Sequence, residues 1–276
     1  METYTLRDGL TVPKVGFGTY KLNGAHGVNV IDSAIDRGYR LLDTAFNYEN
    51  EATVGEAVRR SSVPRSELII SSKLPGRHHA YHEAIDTIQE SLYRAGLDYY
   101  DLYLIHWPNP KEDHYVEAWQ ALIDAQKFGL VRSIGVSNFL PAHLDRLEKE
   151  TGVMPVINQI ELHPYFNQQA QRDYDAAHQI LTQDWSPLGR ASELLQNTTL
   201  KGIAATYGKN VGQLILRWEL QLGTLPIPKS STPKRQLGNL ELFDFEISAA
   251  DMAIINGLST ADGRLNNQDP AEYQEF

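Results

Sequence analysis

Eight short apolar runs, each followed by a helical pattern, constrain this chain more than any other feature of it. The runs are Lys14–Thr19, Tyr39–Thr44, Leu68–Ser72, Asp101–His106, Ser133–Ser137, Val156–Leu162, Ile180–Trp185 and Thr224–Pro228. Helices are predicted between them over Val28–Asp36, Glu51–Arg60, Glu83–Ala95, Glu112–Phe128, Leu144–Glu150, Gln168–His178 and Val211–Leu220, with an extra one near Leu200–Tyr207. In Glu112–Phe128, for example, Val116, Trp119, Leu122 and Ile123 share one helical face, and Gly129 supplies the stop. Strands separated by helices pair in parallel, because parallel neighbours need a crossover. Eight such units predict an α/β fold closed as a (β/α)8 TIM barrel. Ahead of them, Tyr4-Thr5-Leu6 and Leu10-Thr11-Val12 flank Arg7-Asp8-Gly9 and read as an N-terminal β-hairpin. No repeat, low-complexity tract or linker interrupts the 276 residues, so one domain over 1–276 is expected.

Composition narrows the function classes. The formal net charge of -10 argues against nucleic acid or an anionic membrane as partner, since both demand a cationic face. The absence of cysteine excludes disulfides, thiolate catalysis and cysteine-ligated metals. METYTLRDGLTVP lacks the basic-then-apolar build of a signal peptide, and no apolar run reaches the roughly 20 residues of a membrane span. A cytoplasmic protein is the expectation, with no protein partner predicted.

A barrel places function just after its strands, at the C-terminal face. Asp43, Lys73, His106, Ser137, Asn138, Gln159, Trp185 and Lys229 all fall at or just beyond the ends of their runs. Singly, each has an ordinary reading: a turn residue, an internal ion pair, a core histidine, a packed aromatic. Together with Tyr48 they make something specific. A free phenol has a pKa of about 10, too high for efficient proton transfer near neutrality. A nearby Lys ammonium lowers it, and Asp43 would hold Lys73 charged and oriented. His106 would hydrogen-bond a carbonyl oxygen. Such a site polarises a carbonyl and protonates the nascent alkoxide, but no side chain supplies hydride, so a nicotinamide is required.

GYRLLDTAFNYENEATVG, SIGVSNF, NQIELHPY, DWSPLGR and LPIPKS occur in this order across nearly the whole chain and resemble the signature segments of the aldo-keto reductases. Within that family the sequence is similar to bacterial reductases of the 2,5-diketo-D-gluconate reductase type. The resemblance implies Tyr48 as proton donor, Lys73 and Asp43 as the pair that tunes it, and His106 as the group orienting the carbonyl. It also implies a (β/α)8 barrel, which the strand count reaches independently, and a small carbonyl compound as substrate.

The GxGxxG dinucleotide fingerprint is absent, since Lys21 stands where a third glycine would follow Gly16 and Gly18. The resemblance puts the NADPH/NADP+ contacts elsewhere. Ser137, Asn138 and Gln159 would hold the carboxamide and Trp185 would stack on the nicotinamide. Ser186, Leu188 and Gly189 would line the pyrophosphate loop, Asn239 would contact adenine, and Gly18, Thr19 and Asp43 would complete the cofactor contacts. Thr232 before Pro233 reads as a helix start, and Lys229 and Arg235 with Ser230 make a local anion site in an acidic protein. That is the basis for expecting NADPH rather than NADH. Tyr20, Asn47 and Trp107, beside His106, are expected to line the substrate pocket.

Three departures stand out. Pro75 replaces a Trp that many relatives carry two residues after the catalytic Lys, and Gly238 precedes Asn239 where a Glu often stands. The segment after Asp262 is short, so the pocket is expected to be open. His78 and His82 have the spacing of a helical metal pair, but no third ligand is suggested, and a mobile loop beside the mouth is the expectation for GRHHAYHEA. Two rivals remain. A non-catalytic NADP(H)-binding or regulatory member of the same fold would lack turnover. A metal-dependent barrel hydrolase would need more ligands at strand ends than Asp43 and His106.

Overall fold

In the computed structural model, which describes residues 2–191 and 193–276, ten strands and ten α-helices alternate. Strands β1 (Thr3–Thr5) and β2 (Thr11–Pro13) form the antiparallel hairpin, with Thr3 opposite Pro13. The barrel strands are β3 (Phe17–Gly18), β4 (Leu41–Asp43), β5 (Ile69–Leu74), β6 (Tyr100–Ile105), β7 (Val131–Ser137), β8 (Ile157–Glu161), β9 (Leu181–Trp185) and β10 (Leu225–Pro226). All pair in parallel and in sequence order, β3 to β10. The seam closes through two backbone bonds: Gly16 N–H donates to Pro226 O at 2.9 Å, and Gly18 N–H to Pro228 O at 3.3 Å. A Cβ on Gly18 would stand 2.9 Å from Ile227 O, so only glycine lets the first and last strands meet here.

Helices α1 (Gly24–Asp36), α2 (Glu51–Arg60), α3 (Tyr81–Ala95), α4 (Tyr115–Lys127), α5 (Pro141–Thr151) and α6 (Gln169–Ala177) follow the strands in turn. They are joined by α7 (Thr198–Thr206), α8 (Val211–Gln221), α9 (Pro233–Gly238) and α10 (Ala249–Asn256). The expected elements are all present, most with ends moved by a few residues. The run Lys14–Thr19 shortens to a two-residue strand, flanked by Gly16, whose amide bonds across the seam, and Thr19, whose amide bonds Asp43 O.

Strand alternation decides which residues reach the barrel axis. Leu41, Leu102, Leu104, Ile157, Leu225 and Ile227 pack inside, over Leu6 and Val12 of the hairpin, which plugs the lower end. Leu42, Ile70, Tyr103 and Ile105 face outward to the helices. One period above the inner apolar layer, the same parity brings in Asp43, Lys73 and Gln159. The floor is therefore greasy and the rim polar.

Candidate active site

At the rim, the Lys73 ammonium is fully buried and donates to Asp43 Oδ2 at 2.7 Å and Thr44 O at 2.8 Å. Gln159 Nε2 donates to the other oxygen, Asp43 Oδ1, at 2.9 Å and also to Gln183 Oε1 at 2.8 Å. Burial pulls the Lys73 pKa down while the charge of Asp43 pulls it back up; the net direction is down.

Tyr48 closes a short 3-10 turn, Phe46–Tyr48, immediately after β4, and Glu49 then takes a left-handed φ of 53°. Asn50 locks that turn: its Oδ1 accepts from Thr44 Oγ1 at 2.6 Å, and its Nδ2 donates to Thr19 O at 2.8 Å and Leu22 O at 3.1 Å. The buried Glu51 carboxylate accepts from Ser72 Oγ, Ser91 Oγ and the Tyr100 hydroxyl, fixing the first turn of α2 to the barrel wall. So placed, the Tyr48 ring centroid lies 5.0 Å from Lys73 Nζ and 5.8 Å, edge-on, from the His106 ring. Its hydroxyl has no hydrogen-bond partner among the described residues.

The net shift of the Tyr48 pKa is upward, although Lys73 Nζ lies 5.0 Å from its ring centre. Burial pushes the phenol well above 10, and the negative charges of Asp43 and Glu275 push the same way. The ammonium is neutralised by Asp43 at contact distance, which leaves little field to favour phenolate. Tyr48 is held as a protonated donor.

His106 follows β6, with its backbone N–H on Leu74 O at 3.0 Å and its carbonyl accepting from Asn138 Nδ2 at 3.0 Å. The residue that faces its side chain comes from the far end of the chain. Glu275 Oε1 stands 2.7 Å from His106 Nδ1, a charge contact rather than an aligned hydrogen bond. Gly76 N–H donates to Glu275 Oε2 at 3.0 Å and Asn47 Nδ2 to Glu275 Oε1 at 2.8 Å. These partners, His106 foremost, outweigh burial and hold the Glu275 carboxyl below the usual range. Tyr273 packs on Trp107 with centroids 4.5 Å apart. The expected open pocket is thus corrected: the short C-terminal segment folds back over the mouth and seals one side. Sequence reasoning missed Gly76, Asn109, Tyr273 and Glu275, and no local pattern marks them.

Of the expected pocket residues, Tyr20 is 48% exposed and lies 5.0 Å from the Tyr48 ring, a wall on the open side. Trp107 is buried under Tyr273, and Asn47 is engaged by Glu275 and by Arg77, which donates to its Oδ1. The GRHHAYHEA stretch, expected as a loop, is mostly a 3-10 turn and the start of α3. His78 ends a 3-10 turn and bonds Thr87 Oγ1 at 2.8 Å, His82 lies on α3, and buried His79 is kept neutral, its pKa lowered by burial to about 4. His78 and His82 lie on different elements and share no helical face.

The residues expected at the cofactor run from the axis to the β9–β10 side. Ser137 Oγ donates to Gln159 O at 2.8 Å, and Asn138, at φ 64°, accepts from Trp185 Nε1 at 2.8 Å while donating to Ser137 Oγ at 3.0 Å. Trp185 ends β9 half-buried, with the Arg190 guanidinium 6.0 Å from its ring centre. Ser186 and Gly189 adopt left-handed φ of 53° and 56°, making the sharp turn that carries Leu188. Beyond the seam, Ser230 Oγ accepts from Thr232 N–H at 3.1 Å, while Thr232 itself makes no side-chain cap. Lys229, Lys234 and Arg235 are exposed and form no ion pair among the described residues. Buried Asn239 ends α9, and a side chain at Gly238 would meet only Gln213 Nε2 at 3.9 Å, so space does not forbid the missing acid.

Comparison with known proteins accords with this geometry. A model of the aldo/keto reductase family matches residues 14–260. The chain is 52% identical over 276 residues to 2,5-diketo-D-gluconic acid reductase B of Corynebacterium sp., covering all of this chain and 99% of that one. It is 41% identical over 269 residues to methylglyoxal reductase DkgA of Escherichia coli K12, covering 97% and 96%. Its fold superposes with a TM-score of 0.94 on a Gox0644 mutant crystallised with NADPH, at 38% identity over 99% of this chain and 98% of that one. Because the match spans every strand of the barrel and the polar rim it carries, this chain belongs to the aldo/keto reductase family.

Proposed function

We propose that this protein reduces aldehydes or ketones to alcohols with NADPH, using Tyr48 as the proton donor. One observation carries the reading. The Tyr48 hydroxyl is kept protonated and makes no hydrogen bond among the described residues, while the polar groups behind it are consumed in a closed set of bonds. A donor kept free in so well-bonded a rim is available to a substrate oxygen.

The residues fit the cofactor by the chemistry of their donors. Lys229, Lys234 and Arg235 are three cations with no ion pair among the described residues, in a chain of net charge -10, and suit a phosphate. Ser137, Asn138 and Gln159 would face the carboxamide, and Trp185 would supply the stacking surface. When bound, NADPH supplies the hydride. The chain's part is to orient and protonate. His106 Nε2 would donate to the carbonyl oxygen and hold it toward Tyr48. As negative charge develops on that oxygen, the Tyr48 O–H transfers its proton. Lys73, paired with Asp43, lies 5.0 Å from the ring centre and fixes the rim behind the phenol.

The relatives' names favour small, polar carbonyl compounds, so dicarbonyls and keto-sugar acids are the substrate class proposed. Loss of NADPH absorbance with methylglyoxal, simple aldehydes and keto-sugar acids tests it. The Tyr48→Phe protein should lose about 10²- to 10⁴-fold in kcat while binding NADPH as the parent does. A Tyr48→Phe protein as active as its parent would remove the proton-donor role.

A further inference from the structure

The charges around the mouth are sorted to opposite sides of it. The barrel strands follow one another in order around a closed ring of eight, so β5 and β9 stand four places apart, across its diameter. On the β4–β6 side is the Glu275 carboxylate, held by Gly76 N–H after β5 and by Asn47 after β4. On the β9 side is the Arg190 guanidinium, 6.0 Å from the Trp185 ring centre. Other cations of the rim are occupied: Lys73 is bound to Asp43, and Arg77 to Asn47. Arg190 is exposed and has no hydrogen bond or ion pair among the described residues.

The backbone aims it. Two consecutive left-handed residues, Gly189 at φ 56° and Arg190 at φ 56° and ψ 33°, turn the chain so that the guanidinium comes back over Trp185. A side chain in that region costs energy that a second glycine would not, so nothing in the turn itself calls for an arginine. Its charge is felt at the phenol: burial, then Asp43 and Glu275, push the Tyr48 pKa up, and Arg190 pulls against them. From the loop after β3, Lys21 Nζ stands 5.2 Å over the Tyr20 ring and extends the positive side across the seam.

We propose that Arg190 is a specificity-determining residue: it takes the carboxylate of a substrate whose carbonyl lies at Tyr48, so that oxo acids are preferred over uncharged carbonyl compounds of similar size. The proposal rests on the reductase reading above and narrows its substrate class to anions. A carboxylate turned toward β5 would meet Glu275, a like charge. Turned toward β9, it meets a planar guanidinium able to bind both of its oxygens. Attraction on one side and repulsion on the other fix which way round the substrate lies.

The test uses 4-oxobutanoate and its methyl ester, which share the aldehyde and differ chiefly in charge. The parent should favour the acid in kcat/KM by about tenfold or more, and added salt should shrink that preference, as it screens an exposed charge. Arg190→Gln should lower the acid-to-ester ratio about 10- to 100-fold, mostly through KM for the acid, with the NADPH dissociation constant unchanged. Arg190→Lys, which keeps the charge but not the fork, should retain part of the ratio. A parent that does not distinguish acid from ester, or equal losses on both in the variant, overturns the proposal. Weaker NADPH binding by Arg190→Gln would assign the guanidinium to the cofactor and overturns it as well. Failure of the reductase reading would show separately, as a parent that turns over neither compound. The Arg190 Nε–H NMR signal would still decide the contact: it should shift with 4-oxobutanoate and not with the ester, and no shift with the acid overturns it.

Discussion

Asn109 grips Glu275 at both backbone atoms: Asn109 Nδ2 donates to Glu275 O at 2.8 Å, and Asn109 Oδ1 accepts from Glu275 N–H at 2.9 Å. The amide thereby mimics one rung of a β-ladder and makes the C-terminal segment part of the site. It holds that place because Gly76 has no side chain, since a Cβ there would stand 2.3 Å from Asn109 Nδ2.

Gly76→Ala should therefore dislodge Asn109 and release the segment while leaving the barrel folded. The overpacking should cost about 1–3 kcal/mol in denaturant unfolding. Carboxypeptidase should remove Phe276 and Glu275 faster than from the parent; equal cleavage rates would show that the clasp does not restrain the segment.

Lys73→Met leaves Asp43 buried with only Gln159 as a side-chain partner. Stability should fall by about 3–5 kcal/mol, as for other buried pairs that lose one member. Adding Asp43→Asn should restore part of that loss, because the stranded charge goes with it. Urea unfolding of the four proteins in the cycle measures the coupling, and strict additivity would mean that the pair does not interact.

Lys229→Ala and Arg235→Ala should each weaken NADPH binding by the worth of a charge-assisted hydrogen bond, about 1.5–3 kcal/mol. NADH, which lacks the 2′-phosphate, should be little affected. Equal losses for both nucleotides in fluorescence titrations would reassign these cations to the pyrophosphate or to neither.

Asp184 gives a dependence of stability on pH. Burial pushes its carboxyl up to about 8, against about 3.9 in an unfolded chain, despite a hydrogen bond from Thr224 Oγ1. Between those two values the folded state binds the extra proton, so stability falls as pH rises from about 4 and levels off above about 8. Asp184→Asn, which stays neutral, should be more stable than the parent by several kcal/mol at the alkaline end. The two should converge near pH 4. Parallel stability curves would mean that the acid is already ionised in the folded protein.

Much of the site was legible because a barrel converts strand parity into geometry. Asp43 and Gln159 fall one period above the inward apolar Leu41 and Ile157, Lys73 two periods above Ile69, and His106 just past its own strand, so the rim could be read from spacing. Local sequence also marked the turn holding Tyr48. The ionisation of Tyr48 was not legible. Its sign depends on how far burial outweighs a cation already neutralised by Asp43, a balance of distances that no linear pattern contains. Glu275 was hidden for another reason. It meets Gly76 across 199 positions, and EYQEF has neither periodicity nor enough apolar residues to announce a packed segment. Its place is dictated by the receiving side: a bare Gly76, an amide at Asn109 held at φ 45°, and Trp107 offering a face to Tyr273.

The barrel seam has a consequence for how the chain could sense its ligand. Gly16 and Gly18 bond to the carbonyls of Pro226 and Pro228, and the next residue is Lys229, the first cation of the expected phosphate site. Those two bonds join positions about 210 residues apart, a longer loop than any other pair of neighbouring barrel strands has to close and so among the costliest in entropy. A dinucleotide anchored on Lys229 and Arg235 would act as a clamp across the joint. Amide exchange at Gly16 and Gly18 should then slow on cofactor binding more than at strands β5 to β7, which are held on both sides without it. Nucleotide supply would set how tightly the cylinder is shut.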